Sequence, residues 1–174
     1  MNSQPAKLIL ELPFGEIGIE LFADAAPQTC AYFAELARLG ALDGSAFYRI
    51  VHPDNASFRM ENPIEVVQGG LTSDAAQPLP AVPHESTSDT GLSHLQWTVS
   101  TAREAPGATY GSFFICLRDE PELDFGGARH PDGQGFAAFG RVVDGHETVL
   151  GVVERRESSE FLASPVPITR VRLA

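Results

Sequence analysis

The chain has 174 residues, 43% of them hydrophobic, which suits a single globular domain over residues 1–174 with a sizeable core. Its net charge of -11 argues against DNA or RNA as a direct partner, and no apolar run reaches membrane-spanning length, so neither nucleic acid nor membrane is expected. The start of the chain lacks a basic region followed by an apolar core, and Cys30 and Cys116 lie in apolar stretches without metal or redox spacing, so the expectation is a cytoplasmic protein with two buried thiols.

Lys7 to Leu12 and Glu16 to Leu21 read as a hairpin around the Pro13-Phe14-Gly15-Glu16 turn, with Ile17, Ile19 and Leu21 on one face. A helix follows: Asp24 is the candidate cap, Pro27 fits the first turn, and Phe33, Leu36, Ala37 and Gly40 keep helical spacing. Phe47 to Val51 and Ile64 to Gly70 are two further strands, joined by a loop from His52 to Pro63. Strict alternation puts Arg49 on the face of Phe47 and Val51. An Arg there is either an edge residue with its stem on apolar surface, or a partnered group held by the carbonyl of Gln68, whose amide NH2 would stay free.

Leu71 to His94 has little periodicity. Trp97 to Arg103 and Gly111 to Cys116 read as strands, Asp119 to Phe125 as a turn, and Gly126 to Gly135 as a loop without the Lys-Ser/Thr ending of a phosphate-binding loop. Phe136 to Val143 is another strand. Asp144 caps a helix to Arg156 with Val149, Val152 and Val153 on its buried face, and Pro167 to Leu173 is the last strand. About eight short strands and two helices favour a mainly β barrel or sandwich.

Taken in order, several stretches resemble the cyclophilins, the peptidyl-prolyl cis/trans isomerases. They are Ala26-Pro27-Gln28-Thr29, Phe47-Tyr48-Arg49, the run ending in Gln68-Gly69-Gly70, Thr98-Val99-Ser100-Thr101-Ala102-Arg103, Gly111-Ser112-Phe113-Phe114-Ile115, Leu123-Asp124 and Phe139-Gly140. The resemblance implies an antiparallel eight-stranded β-barrel capped by two α-helices. It implies Arg49 as the catalytic group and Gln68 as its holder and a substrate contact. It further implies Phe114, Leu123, Val66 and Phe136 as pocket walls, Ala102 and Arg103 along the substrate backbone, and Ser112 where the family has a second Gln. Glu65 and Glu122 are departures from the family pattern that would put negative charge near Arg49, and Trp97 stands at a family glycine, so a local rearrangement is expected. The implied activity is rotation of X-Pro bonds in peptides and folding protein chains by a monomer, without metal or cofactor. The alternative is a catalytically weak or inactive peptide-binding module on the same fold.

Two finer expectations follow from those departures. Glu65 and Glu122 would disfavour acidic residues beside the proline. Glu122, in place of an indole N–H donor, would leave cyclosporin a weak ligand. Other chemistries lack support: His52, His84, His94, His130 and His146 read as scattered solvated residues, and Glu120, Glu122 and Asp124 as a solvated acidic turn.

Overall fold

The computed structural model describes residues 6–55 and 61–174. The loop expected from His52 to Pro63 therefore falls partly outside the described residues. Among the described residues nine strands form one antiparallel sheet: β1 Lys7–Leu12, β2 Gly15–Leu21, β3 Ala46–Val51, β4 Val66–Gly70, β5 Thr98–Arg103, β6 Thr109–Cys116, β7 Ala138–Asp144, β8 Phe161–Pro167 and β9 Arg170–Leu173. Their order is β8-β3-β4-β6-β5-β7-β2-β1-β9. The two edge strands are consecutive in the chain. Between them Ile168 N–H donates to Ser45 O and Thr169 N–H to Glu11 O, at 2.8 Å each, so β8 and β9 act as one bent strand that brings the sheet edges together. The last strand was expected at Pro167 to Leu173, so Phe161–Pro167, which pairs with β3, is a strand that the sequence pattern did not mark.

The helices are α1 Pro27–Arg38, the single-turn α2 Thr87–Thr90, and α3 His146–Glu154. Neither expected cap operates. No side chain at the α1 N-cap bonds to the helix. Instead Glu85, from the long loop before α2, accepts from Thr29 N–H at 2.7 Å, Thr29 Oγ1 at 2.6 Å and Gln28 N–H at 3.3 Å. Its carboxylate does the work assigned to Asp24 and also meets the positive end of the helix dipole. Asp144 is the last residue of β7 and pairs with Lys7, while Gly145 takes the cap position at φ +78°.

The barrel interior holds one apolar cluster in which Phe33 stacks on Phe139 at 4.5 Å and meets Phe113 edge-on at 6.3 Å. A second, smaller cluster lies on the outer face: Val51, Val66, Phe114, Cys116, Ile64 and Leu123, with Phe136 packed against it. Alternation explains the division. Phe113 and Ile115 point in while Phe114 and Cys116 point out, and Val67 points in while Val66 points out. Both cysteines are buried, and burial pushes the Cys30 thiol up to about 12.

Trp97 adopts φ +73°, the conformation a glycine takes without cost. Its N–H still donates to Cys116 O at 2.8 Å and its carbonyl accepts from Val142 N–H at 2.9 Å, while its ring meets His146 edge-on at 4.7 Å. The backbone at Trp97, held at positive φ with a side chain, thus carries local strain of ~1–3 kcal/mol. Gly145 is more constrained: a Cβ there would sit 2.0 Å from Glu16 O. Gly145→Ala is expected to destabilise the fold by at least ~2 kcal/mol, through positive φ and a backbone clash that cannot relax. Urea unfolding should show a lower midpoint at unchanged slope.

Candidate active site

The outer-face site begins with an irregularity in β3. Phe47 pairs with Gly69 but Arg49 pairs with Gln68, so Tyr48 is an extra residue, a β-bulge. The bulge breaks the alternation assumed from sequence. Phe47 enters the interior cluster, whereas Arg49 stands on the opposite face with Val51. Register then carries one row across the sheet: Arg49 beside Gln68, Gln68 beside Phe114, and Phe114 beside Ser100.

Arg49 is held from two sides. Its Nη1 donates to Gln68 Oε1 at 3.1 Å, and its Nε and Nη2 donate to Glu160 Oε2 at 3.2 and 3.0 Å. The Phe161 ring, 58% exposed, lies 5.4 Å from the guanidinium carbon. A guanidinium has five N–H donors, so one hydrogen on each Nη remains available.

The Gln68 amide cannot flip, because Arg49 offers only donors to its carbonyl. Its NH2 donates to Tyr48 Oη at 2.9 Å and to Ser112 Oγ at 3.1 Å. Ser112 donates to Gly69 O at 3.1 Å, so Tyr48, 2.6 Å away, donates to Ser112. Both amide hydrogens of Gln68 are therefore spent inside the protein, contrary to the free NH2 expected from sequence. Burial pushes the Tyr48 phenol above its ordinary range, which keeps its proton in this network.

A cavity of about 180 Å³ opens beside Arg49 and Gln68. Phe114, Leu123, Val66 and Phe136 line it, as do Ala102 and Arg103. Phe136 meets Phe114 edge-on at 5.7 Å. Arg103 is largely committed: Nη1 and Nη2 bond Asp132 at 3.0 Å each, Nε and Nη2 bond Gly135 O, and the guanidinium covers the Phe136 ring at 4.8 Å. It pins the loop before Phe136 against the cavity.

Three of the residues singled out from sequence do not line the cavity. Ser112 is buried beneath it in the Gln68 network. Glu122 turns its carboxylate onto Ala128 N–H at 2.7 Å. Glu65 lies 3.7 Å from His52 Nε2. The acidic group at Arg49 is Glu160, which sequence reasoning missed. It also missed Ile64, Tyr110, Arg129 and His130, all of which line the cavity.

The acidic turn is structural rather than solvated. Glu120 is buried, accepting from Arg118 Nε and Glu65 N–H, and Asp124 accepts from His94 N–H and faces its Nδ1 at 2.7 Å. His94, expected in solvent, is buried against Phe114 and contacts Ser100 Oγ at 2.8 Å. Among the described residues no group of three or more His, Cys, Asp or Glu side chains is placed to hold a metal ion. No described helix is long and apolar enough to cross a membrane.

Comparison with known proteins matches residues 7–173 to the family model described as cyclophilin type peptidyl-prolyl cis-trans isomerase/CLD. The peptidyl-prolyl cis-trans isomerase cyp18 of Streptomyces antibioticus is 30% identical, over 90% of this chain and 89% of that protein. Peptidyl-prolyl cis-trans isomerase-like 1 of Rhizopus delemar is 34% identical, over 87% and 84%. Among solved structures, a Cryptosporidium parvum cyclophilin type peptidyl-prolyl cis-trans isomerase, crystallised in the presence of the dipeptide Ala-Pro, superposes with a TM-score of 0.76. It covers 97% of this chain and 98% of that one, at 19% identity.

The buried network yields a ranking. Ser112→Ala leaves Gly69 O, the Tyr48 hydroxyl and one Gln68 hydrogen without their partner, whereas Tyr48→Phe strands one Gln68 hydrogen alone. Unfolding free energies should fall by ~2 kcal/mol for the first and ~1 kcal/mol for the second. Equilibrium urea denaturation of both variants reads the order.

Proposed function

The chain belongs to the cyclophilin-type peptidyl-prolyl cis-trans isomerases, and from that premise we propose that Arg49 is the group by which it accelerates X-Pro rotation in peptides and folding protein chains. Amide resonance sets a barrier of ~18–20 kcal/mol, and the uncatalysed X-Pro step takes roughly tens to hundreds of seconds. Twisting makes the proline nitrogen more pyramidal and more basic. A fixed cation beside it stabilises the twisted state more than the planar one, which lowers the barrier without nucleophile, metal or cofactor.

The single observation that carries this reading is the holding of Arg49. Gln68 and Glu160 fix the guanidinium at the cavity edge while leaving two N–H groups unspent. The apolar floor of Phe114, Leu123, Val66 and Phe136 suits a proline ring and limits water at the donor. The cavity, at about 180 Å³, falls below the ~300–1,000 Å³ usual for small-molecule sites, which suits one side chain of a longer peptide lying across it. Gln68 acts here as the positioning residue for Arg49, with Ser112 beneath it. Ala102 and Arg103 border the path of the substrate backbone.

In this reading the chain works as a single domain and a monomer in the cytoplasm, where its two buried free thiols suit a reducing compartment. Cyclosporin is a weak ligand because Glu122 offers no N–H donor and its carboxylate is engaged at Ala128. Titration with the drug should give a dissociation constant at least about tenfold above that of a typical family member, a difference of ~1.4 kcal/mol.

Exchange NMR on X-Pro peptides tests the assignment of Arg49. The wild type should produce cis/trans exchange cross-peaks at substoichiometric concentration. Arg49→Ala should lose about 10²-fold in rate, the usual cost of one preorganised donor, with an unchanged near-UV circular dichroism spectrum. Wild-type turnover in that variant would show that another group does the work. Binding without turnover in the wild type would favour the peptide-binding module.

A further inference from the structure

The cations that line the cavity differ in how they are neutralised. Arg49 has Glu160 at 3.0 Å and Arg103 has Asp132 at 3.0 Å. His130 Nδ1 lies 3.1 Å from the same Asp132. Arg129, on the same wall, has no such carboxylate. Its Nη1 donates to a backbone carbonyl, Asn62 O, at 3.3 Å, and it forms no ion pair among the described residues. Residues 1–5 and 56–60 contain no Asp or Glu.

The placement of Arg129 is built rather than incidental. Its backbone N–H donates to Glu122 O at 3.1 Å, and Asn62 Nδ2 reaches Ala128 O at 3.5 Å, so the backbone that carries the side chain is tied down. Burial and the nearby Arg49 guanidinium both lower the Arg129 pKa, consistent with two cations facing one space. The acids close enough to oppose this are engaged elsewhere: Glu160 on Arg49, and Glu120 on Arg118 and Glu65 N–H. Glu65 and Glu122, expected from sequence to make the mouth acidic, point to other partners.

We propose that Arg129 is a specificity-determining residue that selects prolines flanked by an acidic residue. The inference rests on the isomerase reading of the cleft. A carboxylate entering beside the proline would accept from Arg129 and offset its repulsion with Arg49. A lysine would add a further cation beside these arginines in a half-desolvated space. The preference is thus opposite in sign to the one expected from Glu65 and Glu122.

Peptides Ala-Xaa-Pro-Phe and Ala-Ala-Pro-Xaa, with Xaa as Glu, Gln or Lys, test it by NMR titration for binding and by exchange cross-peaks for turnover. The Glu peptide of at least one series should bind about fivefold more tightly than its Gln isostere, and the Lys peptide more weakly than either. Half-molar NaCl should shrink the ratio. In Arg129→Met the Glu-to-Gln ratio should fall to about one, a change that a merely structural loss, weakening all peptides alike, would not produce. Equal binding of Glu and Gln peptides in both series, or a ratio that survives in Arg129→Met, overturns the proposal. An Arg129-dependent binding preference without turnover would sustain it while overturning the isomerase mechanism.

Discussion

A guanidinium cannot shed its proton, so wherever the chain half-buries one it must supply acceptors. At Arg49 that requirement organises the outer face of the barrel. The carbonyl of Gln68 must point toward Arg49, which sends the amide NH2 the other way. Two oxygens must then wait for those hydrogens, and Tyr48 and Ser112 supply them. Tyr48 can reach because it is the bulged residue of β3, and Ser112 because β6 pairs with β4 in a register that sets it opposite Gly70. Remove the bulge and Arg49 would be driven toward the interior with Phe47, where no acceptor waits.

The same network reconciles rigidity with availability. The donors of Gln68 are exhausted inside the protein, while Arg49 keeps two. Glu160 adds an ion pair of low exposure to a group that already carries a hydrogen bond, so the guanidinium plane is fixed by two directions. Electrostatically the cleft is a basic concavity on an acidic chain. Arg49, Arg103 and Arg129 face a space whose nearest carboxylates are each tied to a specific donor, against a net charge of -11 for the whole protein. Such a contrast focuses potential into the cleft more than net charge alone suggests.

Period-2 patterns and turn residues marked nearly every strand, and the hydrophobic spacing of α1 and α3 marked both main helices. The stretch from Phe47 to Gly70 pointed to the candidate site through its resemblance to the cyclophilins, whereas its residues alone left Arg49 open between an edge residue and a partnered group. What was not legible depended on long-range geometry. The bulge at Tyr48 carries no Gly or Pro signal. Glu85 caps a helix more than fifty residues away, and Glu160 reaches Arg49 across more than a hundred. Asp24 and Asp144 sit where local rules put caps, yet tertiary contacts supplied other solutions. Glu122 has the sequence position of a cleft residue, but the Gly126–Gly135 loop captures its carboxylate and puts Arg129 on the wall instead. Single-sequence spacing holds no record of that exchange.

The proposed mechanism has Arg49 donating to the twisted amide while Gln68 stays occupied within the protein. Side-chain NMR of the 15N-labelled protein titrated with an Ala-Pro peptide observes both groups at once. The guanidinium resonances of Arg49 should shift in step with the appearance of cis/trans exchange cross-peaks, and the Gln68 side-chain NH2 resonances should keep their protection from exchange with water. Exchange cross-peaks with Arg49 unmoved, or with Gln68 released to solvent, would contradict it.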